Sequence, residues 1–214
     1  DALVGEEFGH RPTTVPATMS LVAACAAPAA YGSSRRHRQC CSGWRLRSVT
    51  RDERGDRPAG CETPPVRLAV TLEQCWHRVP GGTATSVLRT VDALTEREDV
   101  EVVGVAARHG DPPPEPFQPS VPVWELPLPR RALYESWHRL RRPAVERATG
   151  PVDAIWASAV AVPPRSAPLV VTVHDLAPLH HPEHTPKRAR AFYRRAFELA
   201  RTEADLVCCP SLTT

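Results

Sequence analysis

Residues 170–214 read VVTVHDLAPLHHPEHTPKRARAFYRRAFELARTEADLVCCPSLTT, and this stretch decides the fold. It predicts a buried strand at Leu169–Val173, a polar loop, an amphipathic helix over about Pro186–Arg201, and a second apolar strand that leads into Ser211. Strands that alternate with helices in this way favour a parallel sheet with helices on both of its faces. The predicted fold class is therefore α/β.

The sequence upstream of this stretch begins with a similar pattern. Val66–Leu72 is a short apolar run typical of a strand buried on both faces. The turn Pro80-Gly81-Gly82 follows, and Thr83 is expected to cap a helix. The apolar residues of that helix recur at helical spacing, namely Ala84, Val87, Leu88, Val91 and Leu94. This segment predicts the first part of a βαβ unit.

Further strands and helices complete the predicted sheet. Strands are expected at about 100–105, at a proline-flanked edge position near 121–126, and at 152–156. A helix is expected over about 130–142, where Leu133, Trp137 and Leu140 share one face. The final helix has an apolar stripe on one side and arginines on the other.

Residues 1–65 differ in composition from the rest of the chain. They are rich in Arg, Pro and Gly and have no sustained helical or strand period. We expect a disordered leader, extraneous to the native protein, and a folded domain over residues 66–214. The arginine cluster of the leader could instead bind nucleic acid or anionic lipid, although runs of charge are usually solvated.

Charge and hydropathy exclude two classes of protein. The net charge of +3 over 214 residues is mild, so nucleic acid is not expected as the main partner. No apolar run approaches the roughly 20 residues that a membrane-spanning helix needs.

His174 and Asp175 follow directly after the clearest strand. In an open parallel sheet, groups just past the carboxyl ends of strands face the ligand crevice. There the imidazole of His174 could hydrogen-bond a sugar hydroxyl or transfer a proton near neutral pH. The structural alternative is a loop histidine that holds a backbone carbonyl, with Asp175 capping a turn. The position in the predicted fold favours the functional role.

Gly81 and Gly82 are the second candidate. Two glycines between a strand and a helix let the backbone approach a ligand, and the amino end of the helix offers free N–H groups to a phosphate. An ordinary tight turn is the alternative, because the fuller glycine fingerprint of dinucleotide sites is missing. The pattern alone leaves both open.

A histidine cluster after the strand includes residue types that bind metals. His180, His181 and His184 lie close to Glu183, but their spacing matches no metal motif. A solvated loop at the rim of the crevice is the default interpretation, and no metal is predicted.

The last helix carries a basic face. Such a face is usually exposed to water, and it could also contact an anionic membrane or an acidic acceptor. Its members are Arg188, Arg190, Arg194, Arg195 and Arg201.

Taken together, the PGG turn and the segments VVTVHDLAPLHHPE (170–183) and ADLVCCPSLTT (204–214) resemble the amino-terminal, acceptor-side half of retaining glycosyltransferases of family 4. The resemblance covers about residues 66–214. It implies a Rossmann-like domain that is the first half of a GT-B fold. It also implies transfer of a sugar, such as mannose or a related hexose, from a nucleotide-sugar donor to a glycan or lipid-linked acceptor with retention.

The same resemblance implies roles for individual residues. Gly81 and Gly82 match the loop against the donor diphosphate, and His174 matches the position that faces the sugar and the reaction centre. Asp175 is expected to orient the following loop on the acceptor side, and Ser211 to open the last acceptor-side helix. Members generally need no bound metal or other cofactor. A cytoplasmic protein is expected, with peripheral contact to the inner face of an anionic membrane.

The sequence departs from the family because it has no second Rossmann-like domain, which carries most nucleotide contacts in GT-B enzymes. We therefore expect a piece of a longer enzyme, truncated before the donor-binding domain and inactive alone. The alternatives are a non-catalytic nucleotide or sugar binding module, an inactive fragment, and an interaction protein whose leader binds nucleic acid. The sequence encoded after Thr214 would separate the enzyme from the first two.

Overall fold

The computed structural model describes residues 64–211 and Thr214. The predicted leader lies outside the described residues except for Pro64 and Pro65, so its disorder and the role of its arginine cluster stay predictions. Within the described part of the chain, no helix has both the length and the apolar content needed to cross a membrane.

Six strands form one parallel sheet in the order β3-β2-β1-β4-β5-β6. The strands are β1 (Val66–Thr71), β2 (Val100–Ala106), β3 (Val123–Glu125), β4 (Ala154–Ala157), β5 (Leu169–Thr172) and β6 (Leu206–Cys208). The chain builds outward from β1 to β3 and then returns to place β4 on the other side of β1. This reversal between β1 and β4 is the topological switch point, where such sheets open a ligand crevice. The parallel, Rossmann-like α/β fold is confirmed.

Three long helices and two short ones accompany the sheet. They are α1 (Gly81–Thr95), α2 (Arg130–Leu140), α3 (Glu146–Thr149), α4 (Ala177–His180) and α5 (Lys187–Glu203). The segments Glu73–Trp76 and Pro182–His184 form single 3-10 turns. The three long helices occur where the sequence predicts them, whereas α3, α4 and the 3-10 turns were not predicted.

Alternation of side chains along the strands gives the core two layers. On one face, Leu68 and Val70 of β1 pack in one cluster with α1, whose five predicted apolar residues are all buried. On the other face, Ala69 belongs to a cluster that includes residues of α2 and α5. Helices therefore cover both faces of the sheet, as the sequence predicts.

The predicted start of the first helix is wrong. Thr83 does not cap α1, because the helix begins two residues earlier at Gly81 and no side chain caps it. Gly81 has a φ of +61°, a conformation that glycine adopts without steric cost. Because the chain turns into the helix at Gly81, Thr83 lies within the first helical turn.

The predicted face of the second helix is only partly right. Leu133 and Trp137 are buried, but Leu140 is 69% exposed. The helix ends at Leu140 because the next residue, Arg141, takes a left-handed conformation with a φ of 53°. The arginine side chain then donates to the carbonyl oxygens of Val162 and Pro163, and so fixes the end of α2 against the segment after β4.

Candidate functional site

The carboxyl ends of β1 and β4 hold a buried polar cluster at the switch point. Thr71 is the last residue of β1, Gln74 lies in the following 3-10 turn, and Ser158 comes directly after β4. Thr71 is only 4% exposed, Gln74 2% and Ser158 0%. Because buried polar groups need hydrogen-bond partners, these three side chains must satisfy one another.

Ser158 is held from both sides of the switch point. Its hydroxyl makes a short hydrogen bond to the carbonyl oxygen of Thr71 and accepts one from Gln74 Nε2 at 2.9 Å. Its backbone N–H donates to Thr71 Oγ1 over 3.1 Å. The backbone of Ser158 is therefore fixed at the switch point.

His174 joins this cluster from β5. It lies two residues past the end of the strand and is half-buried, and its Nε2 lies 2.8 Å from the carbonyl oxygen of Ser158. A carbonyl can only accept, so Nε2 carries the proton in this contact. In the neutral ring Nδ1 is then the acceptor, and within the described part of the chain it makes no hydrogen bond. The contact is the one that the structural alternative predicts, but it occupies only one of the two ring nitrogens.

Gly81 and Gly82 lie on the same edge of the sheet as His174. They follow β1 and start α1, while His174 follows β5, and all the strands are parallel. Both glycines are exposed, and beyond the neighbouring residues and the backbone of the helix itself, a Cβ added to either would meet no atom within 4 Å. The first N–H groups of a helix have no intrahelical acceptor, and neither a side-chain cap nor an acidic residue occupies this helix start. An open, uncompensated helix amino end can bind an anion.

The loop between β1 and α1 is anchored by a buried carboxylate. Glu73 is 4% exposed and accepts a hydrogen bond from the backbone N–H of Ala107 at 2.8 Å. Its other oxygen lies 3.0 Å from Nε2 of His109, whose ring stacks on Trp76. The loop that leads to the glycines is thereby tied to the end of β2.

A fixed cation lies near the same loop. Burial lowers the pKa of His77, and the positive charge of Arg130 lowers it further. Arg130 begins α2, on the carboxyl side of β3. The loop before Gly81 therefore has a neutral imidazole and an arginine as its neighbours at neutral pH.

Asp175 and the histidine cluster line the rim of this edge. Asp175 Oδ1 accepts from the backbone N–H of Ala177 at 2.9 Å, which turns the chain into α4. Glu183 lies 3.3 Å from His181 Nδ1 and 3.6 Å from His184 Nε2, and all three side chains are exposed. Among the described residues, no group of three or more His, Cys, Asp or Glu is arranged to hold a metal ion.

Part of the basic face of α5 borders a groove against α2. Arg188 and Arg195 line a groove of about 660 Å³ between α2 and α5. Arg195 is already engaged, because it donates to the carbonyl oxygen of His138 and pairs with Glu198.

Asp205 lies at the opposite, amino-terminal edge of the sheet. Its carboxylate accepts from the backbone N–H of Leu169 at 2.8 Å and from the Arg165 guanidinium at 2.6 and 3.0 Å. The hydrogen bonds from Arg165 lower the pKa of this carboxyl group. Asp205 thus joins the starts of β5 and β6 and has no part in the carboxyl-edge cluster.

Sequence reasoning selected His174, Asp175, Gly81 and Gly82, and the fold brings all four to one edge of the sheet. It missed the buried cluster of Thr71, Gln74 and Ser158, because a polar loop after a strand is usually solvated. The available signal was position: each of these residues ends or follows a strand that borders the reversal of strand order.

Comparison with known families gives one match. The model of the family described as Glycosyltransferase Family 4 matches residues 80–214, well over half of the 214-residue chain. No curated protein and no solved structure matches the chain. The matched region begins at the turn that starts α1 and includes β5, His174 and β6. The chain therefore belongs to glycosyltransferase family 4.

Proposed function

We propose that this chain supplies the acceptor-side half of a retaining, GT-B glycosyltransferase. The substrate is a nucleotide-sugar that carries mannose or a related hexose, and the acceptor is a glycan or lipid-linked saccharide. The observation that supports this proposal is that His174 and the amino end of α1 lie at the same edge of the sheet, in a chain of this family. A donor that spans this edge would meet both.

The glycine turn is the proposed diphosphate site. The exposed N–H groups at Gly81 and Gly82 and the positive end of the α1 dipole favour a bound anion. Arg130 adds a fixed positive charge beside the loop. These groups would stabilise the negative charge that develops on the leaving diphosphate, and we propose that no bound metal or cofactor is needed.

His174 is the proposed contact to the sugar. During transfer, the bond between the anomeric carbon and the diphosphate oxygen breaks, and the acceptor oxygen bonds to the same face of that carbon. The acceptor proton passes to the departing diphosphate, so charge and atoms balance. A half-buried imidazole with Nδ1 available can hold a sugar hydroxyl during this exchange. Asp175, through its bond to Ala177, would keep the loop after His174 in place.

We further propose a cytoplasmic protein that contacts the inner face of the membrane. The support is the row of arginines on α5, each worth about 1 kcal/mol near an anionic surface. Of these, Arg188, Arg194 and Arg201 are exposed.

The test is sugar transfer by the product of the complete reading frame that contains this chain, with His174→Ala compared with His180→Ala. His180 is exposed and ends the short helix α4 that follows His174, so it controls for the general effect of losing an imidazole. We expect His174→Ala to fold normally and lose most transfer, while His180→Ala retains it. Unchanged transfer in His174→Ala would remove this residue from the reaction. Nucleotide-sugar binding without any transfer by the unsubstituted protein would favour the non-catalytic module.

A further inference from the structure

The edge between β1 and β4 contains a hydrogen-bonded chain that ends on the His174 ring. It runs from Gln74 and Thr71 to Ser158, and from the carbonyl oxygen of Ser158 to His174 Nε2. The first three residues are at most 4% exposed, and only the imidazole reaches the open edge.

Each bond of this chain has a defined direction. The Gln74 amide N–H donates to Ser158 Oγ, which in turn donates to the carbonyl oxygen of Thr71. Thr71 Oγ1 also accepts from Ser158 N–H and lies 3.2 Å from Ser158 Oγ, so four contacts anchor the serine. Its backbone carbonyl therefore points in a fixed direction, and that carbonyl is an obligatory acceptor.

We propose that Thr71, Gln74 and Ser158 are positioning residues that hold His174 in its Nε2–H form and thereby leave Nδ1 as a hydrogen-bond acceptor. An acceptor nitrogen selects a donor group on the substrate, such as a sugar hydroxyl, and does not select a phosphate oxygen, which cannot donate. This inference rests on the proposed function for the identity of the substrate. The two parts of the ligand would then bind at different places: a sugar hydroxyl would donate to His174, and the diphosphate would bind at the start of α1.

A buried chain of this kind is costly to break in the middle. Removing one partner leaves another buried group unsatisfied, whereas a conservative replacement that keeps the hydroxyl restores the bond. Thr71→Val removes Oγ1 at nearly constant shape, and Thr71→Ser returns it. Gln74→Met removes the amide and keeps the length of the side chain. Thr90→Val is a matched control, because the Thr90 hydroxyl makes an exposed hydrogen bond within α1, to the carbonyl oxygen of Ser86.

The experiment is nitrogen-15 NMR of the histidine rings in the ligand-free 214-residue chain at neutral pH. We expect Nε2 of His174 to be the protonated nitrogen and its proton to be slow enough in exchange to be observed. Thr71→Ser and Thr90→Val should keep that signal. In Thr71→Val and Gln74→Met, its exchange should be faster by roughly fivefold or more, the factor that corresponds to one net hydrogen bond.

Two results would overturn the proposal: a proton on Nδ1 in the unsubstituted chain, or equal protection of Nε2–H in both disruptive variants. If Thr71→Val does not fold, Gln74→Met and the unsubstituted chain still decide the question. The measurement needs no sugar, so absence of glycosyl transfer would leave its outcome unaffected, and a negative outcome here would leave the proposed transfer standing.

Discussion

Nε2 of His174 and the backbone carbonyl oxygen of Ser158 are 2.8 Å apart, across the pair of strands β4 and β5. Ser158 is itself bonded to Thr71 at the end of β1. His174 is therefore linked, through one residue, to the strand that leads into the glycine turn. Two features that are about 90 residues apart in sequence belong to one structural unit at the switch point.

The contact predicts different behaviour for two conservative replacements of His174. A Gln amide reaches about as far as Nε2 and can keep the bond to Ser158, whereas an Asn oxygen lies near the position of Nδ1. If Nδ1 is the group that binds substrate, His174→Asn should retain more nucleotide-sugar affinity than His174→Gln. Calorimetric titration with one nucleotide-sugar gives the comparison. Higher affinity in the Gln variant would assign the binding role to Nε2 instead.

The two glycines should respond oppositely to alanine. Gly81→Ala places a Cβ at a φ of +61° and should cost about 1–2 kcal/mol of unfolding free energy. Gly82 has no positive φ and open space around it, so Gly82→Ala should leave stability unchanged or raise it by up to about 1 kcal/mol. Urea unfolding measures both.

Binding provides the second half of that comparison. In Gly82→Ala the added methyl group lies beside the helix-start N–H groups, so affinity for a nucleoside diphosphate should fall although the fold is intact. Full affinity in this variant would show that the diphosphate does not approach Gly82 closely.

Stability should fall in mild acid because of a buried imidazole. Burial lowers the pKa of His138 to about 4, from an ordinary 6.5, and the residue is 3% exposed. Between these pH values the unfolded chain binds more protons than the folded one, so the free energy of unfolding decreases as pH falls. The expected loss is on the order of 3 kcal/mol.

The variant His138→Gln isolates this contribution. Its amide oxygen can still accept from the backbone N–H of Val162, as His138 Nε2 does at 3.3 Å, but it does not titrate. Its stability should vary less between pH 6.5 and 4 than that of the unsubstituted chain, by denaturant unfolding at each pH. Parallel pH curves for the two proteins would contradict the assignment.

Asp205 should matter for stability and not for binding. Asp205→Ala removes the acceptor for Leu169 N–H and the pair with Arg165, and should cost about 1–2 kcal/mol, since the groups are half exposed. Asp99→Ala is the control, because that carboxylate pairs only with Arg97 on the surface and should have a smaller effect. Neither should alter nucleotide affinity, because Asp205 lies at the opposite edge of the sheet. Weaker binding in Asp205→Ala alone would contradict that separation.

Strand and helix positions were predictable because the apolar periodicity of β1, α1 and β5 is strong and local. The buried cluster of Thr71, Gln74 and Ser158 was not predictable. Gln74 and Ser158 come into contact only when β4 pairs with β1, and that pairing depends on the whole topology. The early start of α1 depended on the φ of Gly81, which sequence leaves free. Leu140 was misplaced because periodicity does not indicate where a helix ends.

The most direct test of the account is a titration of the isotope-labelled 214-residue chain with a nucleoside diphosphate and, separately, with the matching nucleotide-sugar, each at millimolar concentration. UDP with UDP-glucose and GDP with GDP-mannose are suitable pairs. We predict that the amide signals of Gly81 and Gly82 shift with all four ligands, and that the His174 ring shifts further with the sugar-bearing ones. Shifts at His174 without shifts at the glycines, or shifts at the glycines with no further shift of the His174 ring when the sugar is present, would contradict a shared site for the two features.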